Sequence, residues 1–479
     1  MLVCSVSIFM SCSDDDDEVK YPIDTELAGG YVGNLSVNVD GNQMGTTENQ
    51  KITISQSNKG TNQIALSLKN FTFLVNVGDI EVDPCTVKAI DGGYAFEGQQ
   101  NLDLVQPLSI SGTVKGSNIN IEIGVKVGAP LNQNVKATFV GRKLTGSESS
   151  EAKITSFIID DEAVVEQPVI NEEAGTIVFA VNEEVESLKF TPIIEISEGA
   201  TITPASGVAQ DFSNNKKVTY TVTAEDGTVK VYTAFVEGTR KVLKYSFEDW
   251  KEGTKNDELL PKDLWAGSAA GAGILGGTLL RKETREDGTY AAKLITFEYP
   301  NEPNSLVPKI TAGSIFIGKF DMMPALQGDR LSCTKFGLDA ETVSLGGKPL
   351  RFKGVYKYES GSNYLDASNY EDVKPVDIKD KGQIQAVLYK VQTGEDGKEI
   401  VLTGHDVNTS ELRVAVANII VEDIKEYTPF NIEFEYLQEY DRTAKYKFAI
   451  ICSSSKDGDL FKGAGGSTLI VDEFEVICE

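Results

Sequence analysis

An all-β fold is what this sequence predicts. Apolar and polar residues alternate at a period of two through most of the chain, and Gly, Ser, Thr and Asn turns punctuate the alternating runs. No stretch holds a 3.6-residue apolar period over several turns. With 479 residues there is room for about three domains.

Residues 27–144 open with YVGNLSVNVD, in which Tyr31, Leu35, Val37 and Val39 point one way and Asn34, Ser36, Asn38 and Asp40 the other. NINIEIGVKVG repeats the pattern with Ile119, Ile121, Ile123, Val125 and Val127. With KITISQ, NQIALSLKNF, GDIEVD, YAFEGQQ, LSISGTVKG and NVKATFVG, these make about eight strands, the number that closes a small up-and-down barrel. An interior filled by its own side chains is expected, a small apolar ligand being the alternative. LAGGYVGNLSVNV, LSLKNF and the closing NVKATFVGRKL resemble the calycin-like β-barrel domain of bacterial surface lipoproteins.

TGSESSEAK, residues 145–153, is polar and turn-rich and reads as an exposed linker. Across 150–238, KITSFIID, GTIVFAV, LKFTPIIEIS, ATITPASG and KVTYTVTAEDGTVKVYTAFVEG supply about seven short strands, enough for an immunoglobulin-like sandwich. Asp226-Gly227 predicts a type I′ hairpin turn. The segment resembles the Ig-like spacer modules of surface lipoproteins, and without clustered aromatics it reads as a rigid spacer.

From 240 to 479 strands alternate with larger loops, consistent with one jelly-roll sandwich. YSFEDW, GSIFIGKF, GGKPLRFKGVYKYESG and YKFAIICSSSKDGDLFKGAGGSTLIVDEFEV resemble the Putative carbohydrate metabolism domain, a family whose fold is similar to carbohydrate-binding modules and some glycanases. That resemblance implies glycan handling and leaves binding or cleavage to be decided by the site.

The net charge of −27 repels polyanions at long range, so nucleic acid is excluded as an expected partner. At the N-terminus an apolar run, Met1 to Ser11, precedes Cys12 and the acidic block Asp14 to Glu18. The run is far shorter than the roughly 20 residues of a membrane-spanning helix. Ser11-Cys12 behind it resembles the end of a bacterial lipoprotein signal, although no Lys or Arg precedes the run. The acidic block resembles the export tag of surface lipoproteins. Residues 1–26 are therefore expected to be signal and acidic tether, with a lipid anchor at Cys12 as the one membrane attachment, an outer-membrane, cell-surface location and a monomeric state. The plain alternative is a disordered N-terminal segment. Cys85, Cys333, Cys452 and Cys478 lack any CxxC spacing, which argues against zinc. Buried free thiols are expected, a Cys452–Cys478 pair being the alternative.

The candidate sites fall in 240–479. Sugar binding needs flat rings to cover pyranose faces and a few polar groups to fix hydroxyls. Both tryptophans, Trp250 and Trp265, lie here, Trp265 in the glycine-rich, loop-like KDLWAGSAAGAG. ESGSNYLDASNY adds Tyr364 and Tyr370 beside Asn363 and Asp366. Phe352, Tyr356 and Tyr358 share one strand face and read as core. For cleavage, the pair Glu433 and Glu435 alternates with apolar residues along one strand, roughly 7 Å apart, near the separation an inverting glycosidase uses. A solvated strand face is the simpler reading. The single histidine, His405, has no nucleophile motif nearby and reads as surface. Asp472 shares parity with Ile470, Phe474 and Val476 and needs a cation there. Paired with Glu248 of SFEDW it matches the structural calcium site that the module resemblance implies, a lysine partner or a bulge being the alternatives. No catalytic cofactor is expected. The overall expectation is a surface lipoprotein that binds glycan without turning it over, with a glycoside hydrolase or an adhesive protein as alternatives.

Overall fold

The computed structural model describes residues 19–73, 75–102, 105–126, 133–304 and 307–479. Cys12 and the acidic block lie outside the described residues. The chain divides into two compact units, residues 1–161, 167–179 and 187–237 in one, and 162–166, 180–186 and 238–479 in the other. No helix among the described residues is long and apolar enough to cross a membrane.

In the first unit a closed antiparallel barrel runs through Gly29–Val39, Asn42–Gln56, Gln63–Phe73, Val75–Ile90, Gly93–Leu102, Val105–Lys115, Asn118–Lys126 and Asn134–Lys143, each strand bonded to the next. The last returns to the first, with Gly33 opposite Gly141. The backbones approach so closely there that a Cβ at Gly33 would lie 2.2 Å from the Val140 carbonyl oxygen. The expected alternation holds: Tyr31, Leu35, Val37, Ile119, Ile121 and Ile123 turn inward and meet Ile52, Leu66, Val82 and Phe139 in a core of buried side chains. The tether expected over 1–26 ends earlier than its polar composition indicates. Ile23–Leu27 forms a helical turn whose Ile23 and Leu27 join the barrel core, and the Tyr31 hydroxyl donates to the Leu27 carbonyl at 2.7 Å.

The same unit contains the Ig-like module. Ile154–Ile158 pairs with Ile193–Ile196, and Val218–Thr223 pairs with residues 229–234 and with Thr201–Thr203. Phe179, Phe190 and Phe212, far apart in sequence, pack edge-on or tilted with centroids 5.1–6.2 Å apart, so the module does have an aromatic cluster, inside its core. The 226–227 turn is not type I′, which needs positive φ at both central residues. Only Gly227 has it, at +81°, and the Gly227 amide bonds the Ala224 carbonyl, so a four-residue turn from Ala224 ends on a left-handed glycine. Residues 145–153 connect two strands and are mostly exposed, as expected of a linker, yet are tied down at one residue. Glu148 accepts from the backbone amides of Thr145 and Gly146 at 3.1 and 2.9 Å and pairs with Arg142. These bonds hold its carboxyl well below the usual range, at about 2. Arg142 reaches Glu225 of the Ig-like module at 3.5 Å.

The second unit is a two-sheet sandwich. In one sheet Thr468–Cys478 is central: it pairs along one side with Pro349–Glu359, which continues to Ile424–Glu433, and along the other with Tyr290–Ile295 and then with residues 241–245. The other sheet orders Trp265–Gly267, Ser314–Phe320, Tyr446–Ser453, Gly382–Lys390, Arg413–Val421 and Glu435–Tyr436. Between them lies the main core, with Phe352, Tyr358, Ile317, Phe448, Phe474 and Val476. Cys85, Cys333, Cys452 and Cys478 are buried free thiols.

Candidate functional site

Strand alternation builds the floor of a cleft on the outer face of the second sheet. Ile315, Ile384 and Cys452 point into the core, so their neighbours point out. Ser314 lies opposite Ser453, Ser453 opposite Gln383, and Ile451 opposite Phe316 and Gln385. The floor is therefore hydroxyls and amides on three adjacent strands. Gln385 is buried and donates to Asn408 at 3.3 Å, and Gln383 donates to Asn418 at 2.9 Å. Phe320, Phe336, Leu331, Val407 and Phe461 line the walls of a cavity of about 200 Å³.

The wall loop 456–461 is held from beneath by a buried polar network. One oxygen of the Asp380 carboxylate accepts from Ser455 at 2.6 Å and from the Ser467 hydroxyl and Ala464 amide, both at 2.7 Å. Thr296 bonds Ser454 and Ser455 at 2.7 and 2.6 Å. Burial pushes the Asp380 carboxyl up, against the opposing pull of these donors. Above the network, Phe461 is held at φ +58°, a conformation costly for a bulky residue and frequent at working sites. Its ring lies 5.2 Å from the Arg330 guanidinium, and Arg330 donates to the Asn304 carbonyl at 3.0 Å. Desolvation pushes the Arg330 pKa down and the Asp459 carboxyl up. The cleft thus offers aromatic walls, an amide and hydroxyl floor, the Arg330 guanidinium, the Lys456 ammonium and one carboxyl, that of Asp459, a composition suited to a polyhydroxylated ligand.

The residues singled out in the sequence are distributed differently. Trp265 is 6% exposed, its ring in the core beside Tyr245 and Phe247 with centroids at 6.0 and 5.5 Å. The expected open loop is instead a three-residue strand paired with Ser314–Phe320, too short to show alternation. Tyr364 is also buried, its hydroxyl donating to Asp457 at 2.9 Å. Trp250 packs half-buried against the core and donates to the Phe247 carbonyl at 2.5 Å. Asn363 is exposed, and Asp366 bonds Lys462 at 2.7 Å, which holds its carboxyl down at about 2. Tyr370 is exposed as expected.

Glu433 and Glu435 do not share a strand. The chain leaves one sheet at Glu433 and enters the other at Glu435, passing the buried Phe434. Both carboxylates face solvent, and Glu433 lies 3.3 Å from Arg351. His405 is an exposed partner of Asp329 at 2.7 Å. Asp472 is buried, but its cation is Arg285, at 2.6 Å. A bulge at Glu473, φ +55°, reverses the parity there, so Leu469 and Val471 before it and Phe474 and Val476 after it all face the core. Burial pushes the Asp472 carboxyl up and Arg285 opposes that. Glu248 is exposed and accepts from the Tyr290 amide at 3.1 Å. Each of the two carboxylates has a different partner, and no group of three or more His, Cys, Asp or Glu among the described residues could hold a metal.

Arg330, Gln385, Asp459 and Phe461 were not singled out from the sequence. The signal for Phe461 was present, a lone ring in the polar, glycine-flanked KDGDLFKGAGG.

A closed barrel, an Ig-like module and a sandwich with a mixed apolar and polar cleft define a modular β protein. The chain belongs to the family described as Putative carbohydrate metabolism domain, whose model matches residues 226–477. Residues 154–236 match the model described as SGBP, N-terminal, and 27–142 the Calycin-like beta-barrel domain. Among solved structures, the chain is similar to a "putative glycoside hydrolase" from Bacteroides thetaiotaomicron, at 30% identity over 70% of this chain and 99% of that one, with a TM-score of 0.43. A second "putative glycoside hydrolase", from Bacteroides vulgatus, is 27% identical over 50% of this chain and 98% of that one, with a TM-score of 0.42. A "putative outer membrane protein" from Bacteroides fragilis is 29% identical over 26% and 53%, with a TM-score of 0.22. No curated protein matches the chain.

Proposed function

We propose that this protein binds a glycan at the outer cell surface, in the cleft of its C-terminal sandwich, and does not hydrolyse it. The observation that carries the reading is the cleft itself, where Phe320, Phe336 and Phe461 stand over a floor of Ser314, Gln383, Gln385 and Ser453. Rings supply apolar faces for pyranoses, and amides and hydroxyls supply directional bonds to their hydroxyls. Of the lining residues only Asp459 is a carboxylate, whereas glycoside hydrolysis by carboxyl chemistry uses two. The surface location rests on the Cys12 motif and the SGBP, N-terminal match. The barrel and Ig-like module serve as spacers.

Binding of the full chain and its Phe461→Ala variant to a glycan array tests this. The parent is expected to bind, and the variant, still folded by circular dichroism, to bind severalfold more weakly, because the ring offers an apolar face to a pyranose. Release of new reducing ends that disappears in Asp459→Asn would replace binding by hydrolysis. Cys12→Ala should move the protein out of the membrane fraction, and unchanged association would remove the lipid anchor.

A further inference from the structure

The cleft is unusually apolar for a site that takes sugar alone. Behind the polar floor, Ala312, Cys333, Phe336, Val407 and Ile451 line it while almost wholly buried. Around it, Ile274 and Leu275 on one short helical segment, Met323 and Leu326 on another, and Leu460 beside Phe461 are 38–71% exposed. Leu275, Met322, Ala325 and Phe461 line the cleft from these same segments. Exposed apolar side chains gathered at a cavity mark a binding surface. A sugar ring has only a small apolar face and would leave most of this lining against unsatisfied hydroxyls, which is costly where no partner exists. The volume of about 200 Å³ is also below the roughly 300–1,000 Å³ typical of pockets for whole drug-sized ligands. It suits one compact apolar group better than a run of sugars.

Resting on the glycan-binding reading, we propose that the cleft recognises an O-acylated glycan, an acyl or aroyl ester group entering the apolar cavity while the sugar that bears it meets the polar floor. An ester suits this arrangement because it joins an apolar tail to a carbonyl acceptor, and Gln383, Gln385 and Arg330 place N–H donors among the lining residues.

The test prints one glycan array twice, as isolated and after mild alkali, which strips O-acyl esters from every backbone and leaves glycosidic bonds intact. Full-length protein is applied to both, together with its Leu275→Ser variant, which alters an exposed rim residue and should keep the parental melting temperature. The expected result is that spots bound on the native array lose at least about tenfold in signal after alkali, and that Leu275→Ser weakens native spots severalfold. Equal binding on the two arrays would overturn the ester and leave glycan binding standing. No binding on either array would instead remove the glycan-binding reading itself.

Discussion

The barrel interior and the outer face of the C-terminal sheet solve the same problem in opposite ways. Both are strand surfaces that alternation makes partly apolar. In the barrel the surface closes on itself, and Tyr31, Ile52, Leu66 and Phe139 pack into one buried cluster with Ile23 and Leu27. In the sandwich the core is likewise packed, but a second apolar face looks outward, and loops rather than a facing sheet cover it. Phe316, Phe336, Val387, Tyr389 and Val407 are buried there, and the cover leaves a cleft. Strands pair along their whole length and tend to exclude gaps, whereas a loop is positioned by a few bonds, here the Asp380 network, and can leave one. A glycan site is therefore expected where loops roof a sheet and not where a sheet roofs itself.

Removing a ring from either packed interior should have the largest effect. Phe139→Ala in the barrel and Trp265→Ala in the sandwich are each expected to cost about 3–5 kcal/mol, read by urea denaturation. Phe139→Ala should leave glycan affinity unchanged at temperatures where the fold persists. A Trp265→Ala variant that kept its stability and lost glycan would show that this ring works at the surface after all.

Arg285→Ala asks whether the sheet facing away from the cleft is purely structural. It strands the buried Asp472 without a cation, which should cost about 3 kcal/mol, and the Arg285→Ala/Asp472→Leu double variant should recover much of that. Recovery of stability by added calcium would instead revive the metal reading for Asp472.

The smallest effect is expected at Glu148. Its folded-state pKa of about 2 lies below the ordinary 4.5, so its contribution is complete above pH 4.5 and fades as pH falls from about 4.5 toward 2. Glu148→Gln should lower the melting temperature slightly at pH 7 and converge on the parent near pH 2. Parallel curves for parent and variant over that range would mean that the carboxylate's bonds with Arg142 and the Thr145 and Gly146 amides do not order residues 145–148.

Much of this was legible in the sequence because it depends on a period of two. The eight barrel strands, the sandwich strands and the core roles of Phe352 and Tyr358 follow from which side of a strand a residue occupies. The site was less legible. Trp265 sits in a strand of three residues, too few to display a period, so its glycine neighbours dominated the reading. Glu433 and Glu435 have the spacing of strand neighbours, and only the passage of the chain from one sheet to the other at Phe434 separates them. At Asp472 the expected parity failed because a single left-handed residue, Glu473, inserts a bulge that no local pattern announces.

By itself, then, the sequence determined the all-β class, the modular order and the closed barrel, since alternation and turn chemistry are local properties. Only the tertiary structure decided which rings are buried, which cation meets Asp472 and where the cleft opens. Those depend on residues far apart in the chain, Arg330 with Phe461, Asp380 with Ser455 and Ser467, and Arg285 with Asp472. Such pairs carry no signature in spacing, because the fold alone brings them together.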